Sequence, residues 1–303
     1  MAISRSQLVK ELEPGLNALF GLEYKRYENQ HAEIYTTESS DRAFEEEVML
    51  SGFANAQVKG EGAGVSYDEA QETFSARYTH ETVALAFAIT EEAIEDNLYD
   101  RISSRYTKAL ARSMSNAKQV KAVEPLINGL PATATFKSGD GVALFSTAHP
   151  TVAGTFANTL QTQADLNETS LEQSLIDIAA MTDERGLRIA ARGVKMIIPS
   201  ELQFTAERLM KSQGRVGTAD NDVNAIVSMG MIPQGYRVNN YLTDSDAFYI
   251  ITDVPNGMKM FQRAALTTGM EGDFDTGNVR YKARERYSFG VSDPRGIFGV
   301  EGS

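Results

Sequence analysis

The chain contains no cysteine. It cannot form a disulfide frame, a thiolate zinc site or a cysteine nucleophile, which removes several enzyme classes and favours an intracellular origin. Histidine is nearly as scarce: His31, His80 and His149 are widely dispersed, and no HExxH or paired-carboxylate pattern places metal ligands on one helix face. No metal or cofactor is expected. Long apolar runs are also missing, since the longest, Val83–Ile89, has 7 residues where a membrane helix needs about 20. The opening MAISRSQLVKELEPG has no apolar h-region, so no signal peptide or membrane partner is expected. Cations are in deficit, 29 against 41 acidic residues, for a net charge of −12. Such a chain repels phosphate polymers.

What is present is the composition of a folded protein, 303 residues with 42% apolar and 23% charged side chains. That length favours two domains, or one with large extensions. The acid is concentrated at one end: residues 1–100 hold 20 acidic and 7 basic side chains, net −13, which leaves about +1 for the other 203. Leu8, Leu12, Leu16 and Leu19 have helical spacing, but Pro14 and Gly15 interrupt it. An extended or partly helical arm is expected. From Glu45 to Gly64 the chain becomes small and glycine-rich, and it returns from Phe74 to Thr90 with the alternation of a strand. That is a long hairpin. Its apolar residues sit at even positions in Phe74, Ala76 and Tyr78 and at odd ones in Val83, Leu85, Phe87 and Ile89. A strand that changes face near His80 must bury its two halves against different partners.

Thr90, followed by Glu91 and Glu92, reads as a helix start. Ile94, Leu98, Ile102, Tyr106, Leu110 and Met114 then recur every fourth residue, and the helix should run to Val123 before Pro125 stops it, spanning about 50 Å. The segment GLPATATFKSGDGVALFSTAHPTVAGTFAN reads as turns and short strands over a surface, with a domain boundary between Asn158 and Glu168. Leu171, Leu175 and Ile178 mark a helix closing near Gly186, Val194–Ile198 a buried strand, and Ser200 the cap of a helix carrying Leu202, Phe204 and Leu209. Strands at Phe248–Thr252 and Met258–Phe261 should complete an α/β unit ending near Ala265. The last segment alternates, with Arg280, Lys282, Arg284 and Arg286 on one face and Val279, Tyr281, Ala283 and Tyr287 on the other, broken by Glu285.

Three patterns bear on chemistry. Ser146 and His149 suggest a nucleophile and base, but no GxSxG elbow accompanies them. Gly60, Gly62 and Gly64 alternate without the strand–loop–helix unit of a phosphate loop, and Lys59 and Glu61 sit among them. A flexible hairpin tip is the simpler reading. Four cations in seven residues need anions opposite or a solvated face. Glu45, Glu46 and Glu47, with Asp41, are protein carboxylates suited to clasp them, and the overall charge favours protein over nucleic acid.

The order of these elements resembles that of tailed-phage major capsid proteins of the Hong Kong 97 fold, an α+β architecture. FAITEEAIEDNLYDRISSRYTKALARSM (Phe87 to Met114) is similar to the start of their long helix, including that of Mu-like major head subunits, and Ala143–Pro150 and Val279–Gly299 resemble phrases recurring in the family. The resemblance implies an N-terminal arm at 1–46, an extended loop at 47–82, a peripheral domain at 83–167 with a spine helix at 91–123, an axial domain at 168–265, and a return to the peripheral domain at 266–303. It implies a structural, non-enzymatic subunit that assembles as hexamers and pentamers, in the host cytoplasm, into an icosahedral virion shell. Portal and scaffolding or decoration proteins would be partners, and the shell would enclose DNA without sequence-specific binding. Subunit contacts would fall on Glu45, Glu46, Glu47, Lys59, Gly60, Gly62, Gly64, Phe74, Tyr78, Arg280, Lys282, Arg284 and Arg286. Some family members crosslink through a lysine and an asparagine; Lys59 invites the comparison, but no matching glutamate environment is visible. An encapsulin-like compartment shell shares the fold and is the nearest alternative, with a serine hydrolase third.

Overall fold

A computed structural model describes the backbone of residues 5–90, 92, 99–214, 223–273 and 277–303, and the side chains of those residues other than 5–12 and 99–102. The predicted helix start at Glu91, with Ile94 and Leu98, lies outside the described residues, as do the side chains of Leu8, Leu12 and Ile102. Helix α1 (Arg5–Arg26) runs through Pro14 without ending, which corrects the broken arm expected from sequence. A proline inside a helix costs about 3 kcal/mol. Here the later turns offset it, because Leu16 and Phe20 are buried with Leu110, Ala111, Met114, Tyr281 and Ala283, each large apolar side chain contributing about 1.5–3 kcal/mol. Asn17 adds two bonds, its Oδ1 accepting from the hydroxyls of Thr268 at 2.7 Å and Tyr281 at 2.8 Å. The arm is docked on its own chain.

Strands β1 (Thr36–Ser39) and β2 (Phe44–Leu50) follow, then β3 (Glu72–Thr79) and β4 (Glu81–Ile89), separated by His80 alone. The change of apolar face corresponds to a change of sheet. β3 pairs with β2 in a two-stranded ribbon, whereas β4 pairs with β11 (Val279–Val291). Helix α2 (Tyr99–Asn128) carries Pro125 inside it and ends three residues beyond that proline, correcting the predicted stop at Val123. Ala122, Val123, Leu126 and Leu130 all enter the main core beside Leu144, Phe145, Tyr249 and Ile297. Burial holds the last turn together where propensity would end it.

The following segment is not a surface trace either. Leu130, Leu144, Phe145 and Phe156 are buried, with only the short strands β5 (His149–Thr151) and β6 (Gly154–Phe156) in between. Helix α3 (Glu168–Ala180) opens on a capping box in which Asn167 Oδ1 accepts from Ser170 N–H at 2.9 Å and Ser170 Oγ from Asn167 N–H at 3.0 Å. It closes at Ala180 rather than near Gly186, which instead takes a φ of +80° in the turn joining the bridged pair Thr182 and Arg188. Strand β7 (Gly193–Ile198) is where the sequence placed it. Ser200 bonds Glu201 rather than a helix N–H, and helix α4 (Gln203–Lys211) begins after a 3-10 turn.

Helix α5 (Ala225–Met229), β8 (Tyr236–Val238) and β9 (Phe248–Thr252) lead to the long strand β10 (Met258–Gly272), then β11 and β12 (Ile297–Val300). Two four-stranded sheets result, ordered β1-β10-β11-β4 and β12-β9-β7-β8. This corrects two expectations. β10 belongs to the sheet under α1 and α2 rather than to the α/β unit, and the C-terminal β12 returns to the α/β sheet, where Phe298 and Val300 pack with Ile198, Phe248 and Ile250. A strand at Met258–Phe261 was legible; which sheet β10 and β12 joined depended on contacts over 40 residues away in the chain.

Candidate assembly surfaces

Between β2 and β3 lies a 21-residue loop, residues 51–71, exposed from 53 onward. Its base is tied: Ser51 N–H donates to Gln71 C=O at 2.9 Å, and Gln71 N–H to Ser51 Oγ at 3.0 Å. Further out Ala54 N–H donates to Asp68 at 2.7 Å. The tip turns at Gly60–Ala63, closed by Ala63 N–H to Gly60 C=O at 3.1 Å with Gly62 at φ +77°, a backbone that suits glycine. Lys59, Gly60, Gly62 and Gly64 are all exposed there. Phe53, Val58, Val65 and Tyr67 also point away from the chain, Val58 and Tyr67 being 99% and 98% exposed. Isolated exposed apolar residues are ordinary; a 21-residue loop carrying four is a surface awaiting cover.

The stalk of that loop is bound to its own chain. Tyr78, expected at a subunit contact, is 2% exposed, its ring edge-on to Phe261 at 4.7 Å and its hydroxyl 2.5 Å from Ser292. It is core. Phe74, half-buried, lies against Gly139, where an added Cβ would be 2.8 Å from the Phe74 ring. The three glutamates have local partners too. Glu47 accepts from Lys259 Nζ at 2.5 Å and from the Ser292 hydroxyl, Glu46 lies 3.7 Å from Arg77, and Glu45 accepts from Ser40 Oγ at 2.6 Å. Lys259 also reaches Glu38 at 3.1 Å; burial depresses its basicity, yet the two carboxylates win and its pKa is raised. The proposed clasp of Glu45–Glu47 on β11 is therefore not formed within the chain.

β11 separates its faces as the alternation required. Tyr281, Ala283, Glu285 and Tyr287 are buried, while Arg280, Lys282 and Arg284 are exposed and Arg286 is half-buried. Glu285 Oε2 is paired from α2 by Lys118 at 3.2 Å, both side chains largely buried. On the cationic face the register neighbours in β4 are Ala88, Ala86, Ala84 and Thr82, all exposed. Arg280 pairs with Asp273 at 2.5 Å. Lys282, Arg284 and Arg286 have no ion pair among the described residues.

His80 sits where the ribbon leaves the sheet, its Nε2 2.9 Å from Ser40 Oγ and its Nδ1 2.9 Å from Ser288 Oγ. Burial, then Arg286, hold its pKa below the ordinary value, with Glu45 opposing and Arg263 adding to the depression. His149 cannot serve Ser146 as a base. It is fully buried, with Nδ1 2.6 Å from Asp140 and Nε2 3.0 Å from Asn158 Oδ1, and Ser146 Oγ accepts from Ala148 N–H instead. Asn158 also donates to Leu144 and Pro294 carbonyls. This hub ties the irregular segment to β12, and its sequence signal was only a histidine and an asparagine nine residues apart. No group of three or more metal-ligating side chains occurs among the described residues.

A subunit with a long exposed hairpin loop, a long helix over one sheet and a separate α/β unit has the Hong Kong 97 fold of phage shells. Among the solved structures similar to it are the virus-like particle from Pyrococcus furiosus (11% identity, 94% of this chain and 98% of that one, TM-score 0.53), Mycobacterium phage Che8 (15%, 91% and 93%, 0.53) and the capsid of Myoviridae phage XM1 (12%, 89% and 89%, 0.52). No curated protein matches the sequence. The sequence profile of the phage capsid protein family matches residues 72–300, and the chain belongs to that family. It is a structural capsid shell protein.

Proposed function

We propose that copies of this chain close into an icosahedral head as hexamers and pentamers, with residues 51–71 of each lying over a neighbour. The observation that carries this reading is the contrast between stalk and tip. Tyr78 and Glu47 hold the ribbon to its own chain, while four apolar side chains beyond them have no cover. Burial under a neighbour would supply about 25 cal/mol for each Å² of apolar surface removed from water, and each subunit would give one such contact and receive one, repeated around the shell. Arg280, Lys282 and Arg284, Lys59 and the tip glycines belong to the same contacts. The shell would form in the host cytoplasm and enclose double-stranded DNA without sequence-specific binding, helped by scaffolding, portal or decoration proteins. The net charge of −12 supports loose enclosure of DNA. No chemistry is assigned to Ser146 and His149, and the Mu-like subtype rests on the Phe87–Met114 resemblance alone.

Electron microscopy of the purified, expressed protein should show closed shells; discrete monomers over a wide range of concentration and salt would overturn the reading. A protein compartment shell is the second reading, prompted by the similarity across 94% of this chain to the virus-like particle from Pyrococcus furiosus. Particle contents decide between them, since nucleic acid supports the first and a packaged protein the second.

A further inference from the structure

The pairing of β10 with β11 shifts register between Gln262 and Ala264, so Arg263 is the extra residue of a bulge. Bulges re-aim a side chain at the expense of regular pairing. Arg286 is the register partner of Ala264, the next residue along, so the bulge brings the backbones of the two arginines to neighbouring positions on adjacent strands. Both are half-buried, and the Nε of each is a buried donor with no acceptor. Neither has an ion pair among the described residues. The surrounding groups do not neutralise them. His80 lies near enough for both guanidiniums to suppress its protonation, and Thr82, paired with Arg286 on β4, is uncharged. Glu45 is the nearby carboxylate, with one oxygen held by Ser40 at 2.6 Å. Two guanidiniums that both act on His80 and each keep an unmet Nε donor are unfavourable unless an anion completes them, and their planar forks match a carboxylate or phosphate.

We propose that Arg263 and Arg286 form an anion site at the root of the extended loop that receives a carboxylate from a second copy of this chain. The inference rests on the shell reading above and adds to it a residue, Arg263, and the chemistry of the partner. Protein is favoured over DNA as the source by charge: each copy carries 41 acidic residues and a net −12, and the exposed loop alone offers Glu61 and Glu69. The row Arg284, Lys282 and Arg280 continues from the site along β11 beside the small residues of β4, so an acidic segment can lie flat along it. The arriving carboxylate completes two charge-assisted forks while Lys282 and Arg284 steer the approach.

The test uses Arg286→Lys, which keeps the charge and so the folded subunit, in shells assembled from equal parts of isotope-labelled and unlabelled protein. Zero-length carbodiimide treatment should join the introduced amine to an Asp or Glu of the other label, and mass spectrometry identifies that residue. Links within one label only, or none in shells that form, overturn the site. Independently, Arg263→Gln with Arg286→Gln should raise the protein concentration needed for assembly about tenfold or more; an unchanged threshold overturns the proposal. If that variant assembles normally but loses packaged DNA, phosphate is the occupant and the carboxylate assignment is wrong. If the unaltered protein never forms shells, the shell reading itself fails first, and the inference with it.

Discussion

Removing Lys118 while keeping Glu285 should destabilise the unassembled subunit more than removing both. The pair joins α2 to β11, with Nζ 3.2 Å from Oε2, and the two side chains are 10% and 1% exposed. Lys118 also lies 5.2 Å above the Tyr287 ring, and the second glutamate oxygen, Oε1, has no partner. At an effective dielectric near 20 the gross attraction at this distance is about 5 kcal/mol, but desolvation of both ions removes most of it. Lys118→Met leaves a carboxylate stranded in the core, for a loss of about 3–5 kcal/mol at pH 7; Lys118→Met with Glu285→Leu should return to within about 1 kcal/mol of the parent. Burial raises the Glu285 pKa and Lys118 opposes it. A carboxyl with a folded pKa above its unfolded value near 4.5 contributes its stability fully below that value and loses it as pH rises through the folded one. Without Lys118 the folded value climbs higher, so the single variant's deficit should shrink as pH falls from 7 toward 4.5. Lys118 also depresses His31, and relieving that depression acts in the same direction. Urea denaturation followed by circular dichroism measures all three. Equal losses in single and double variants, or a single-variant deficit independent of pH, would refute the reasoning.

His31 is buried beside Lys118 and hydrogen-bonded to Gln119, and burial first, then Lys118, lowers its pKa from 6.5 to about 4. Its neutral form should therefore contribute about 3 kcal/mol that is complete above pH 6.5 and lost as pH falls toward 4; NMR titration of the folded subunit should find no protonation of this ring at pH 5.5. Gly296 and Gly257 meet back to back, and a Cβ on Gly296 would stand 2.3 Å from the Gly257 Cα, so Gly296→Ala should cost about 1–3 kcal/mol. Gly60→Ala, with nothing within 4 Å of the added carbon, should leave the urea midpoint unchanged.

Local periodicity carried much of this fold. The face change at His80 gave the β3–β4 break, and alternation along Val279–Val291 gave the buried and cationic sides of β11. Both depend only on which neighbour sits two residues away. Where sequence misled, a long-range contact outweighed a local rule. Pro14 and Pro125 should each have ended a helix, but Phe20 and Leu126 lie in cores assembled from strands far along the chain. Tyr78 looked available because its partners, Phe261 and Ser292, are more than 180 residues away. Arg263 had no signal at all, since a bulge is a relation between two strands and neither shows it alone.

The distribution of satisfied and unsatisfied groups gives the ribbon two functions at its two ends. At its root, every glutamate of Glu45–Glu47 is engaged and Tyr78 is core, so the ribbon's direction is fixed before any neighbour arrives. At its tip, Val58 and Tyr67 touch almost nothing, so a neighbour meets an aimed element with uncommitted apolar surface. A loop free at both ends would lose far more conformational entropy on docking. The unpaired Arg263 and Arg286 lie at the fixed end, where a partner's charge would find donors already in place, and preorganised donors hold an anion more tightly than donors that must first be ordered.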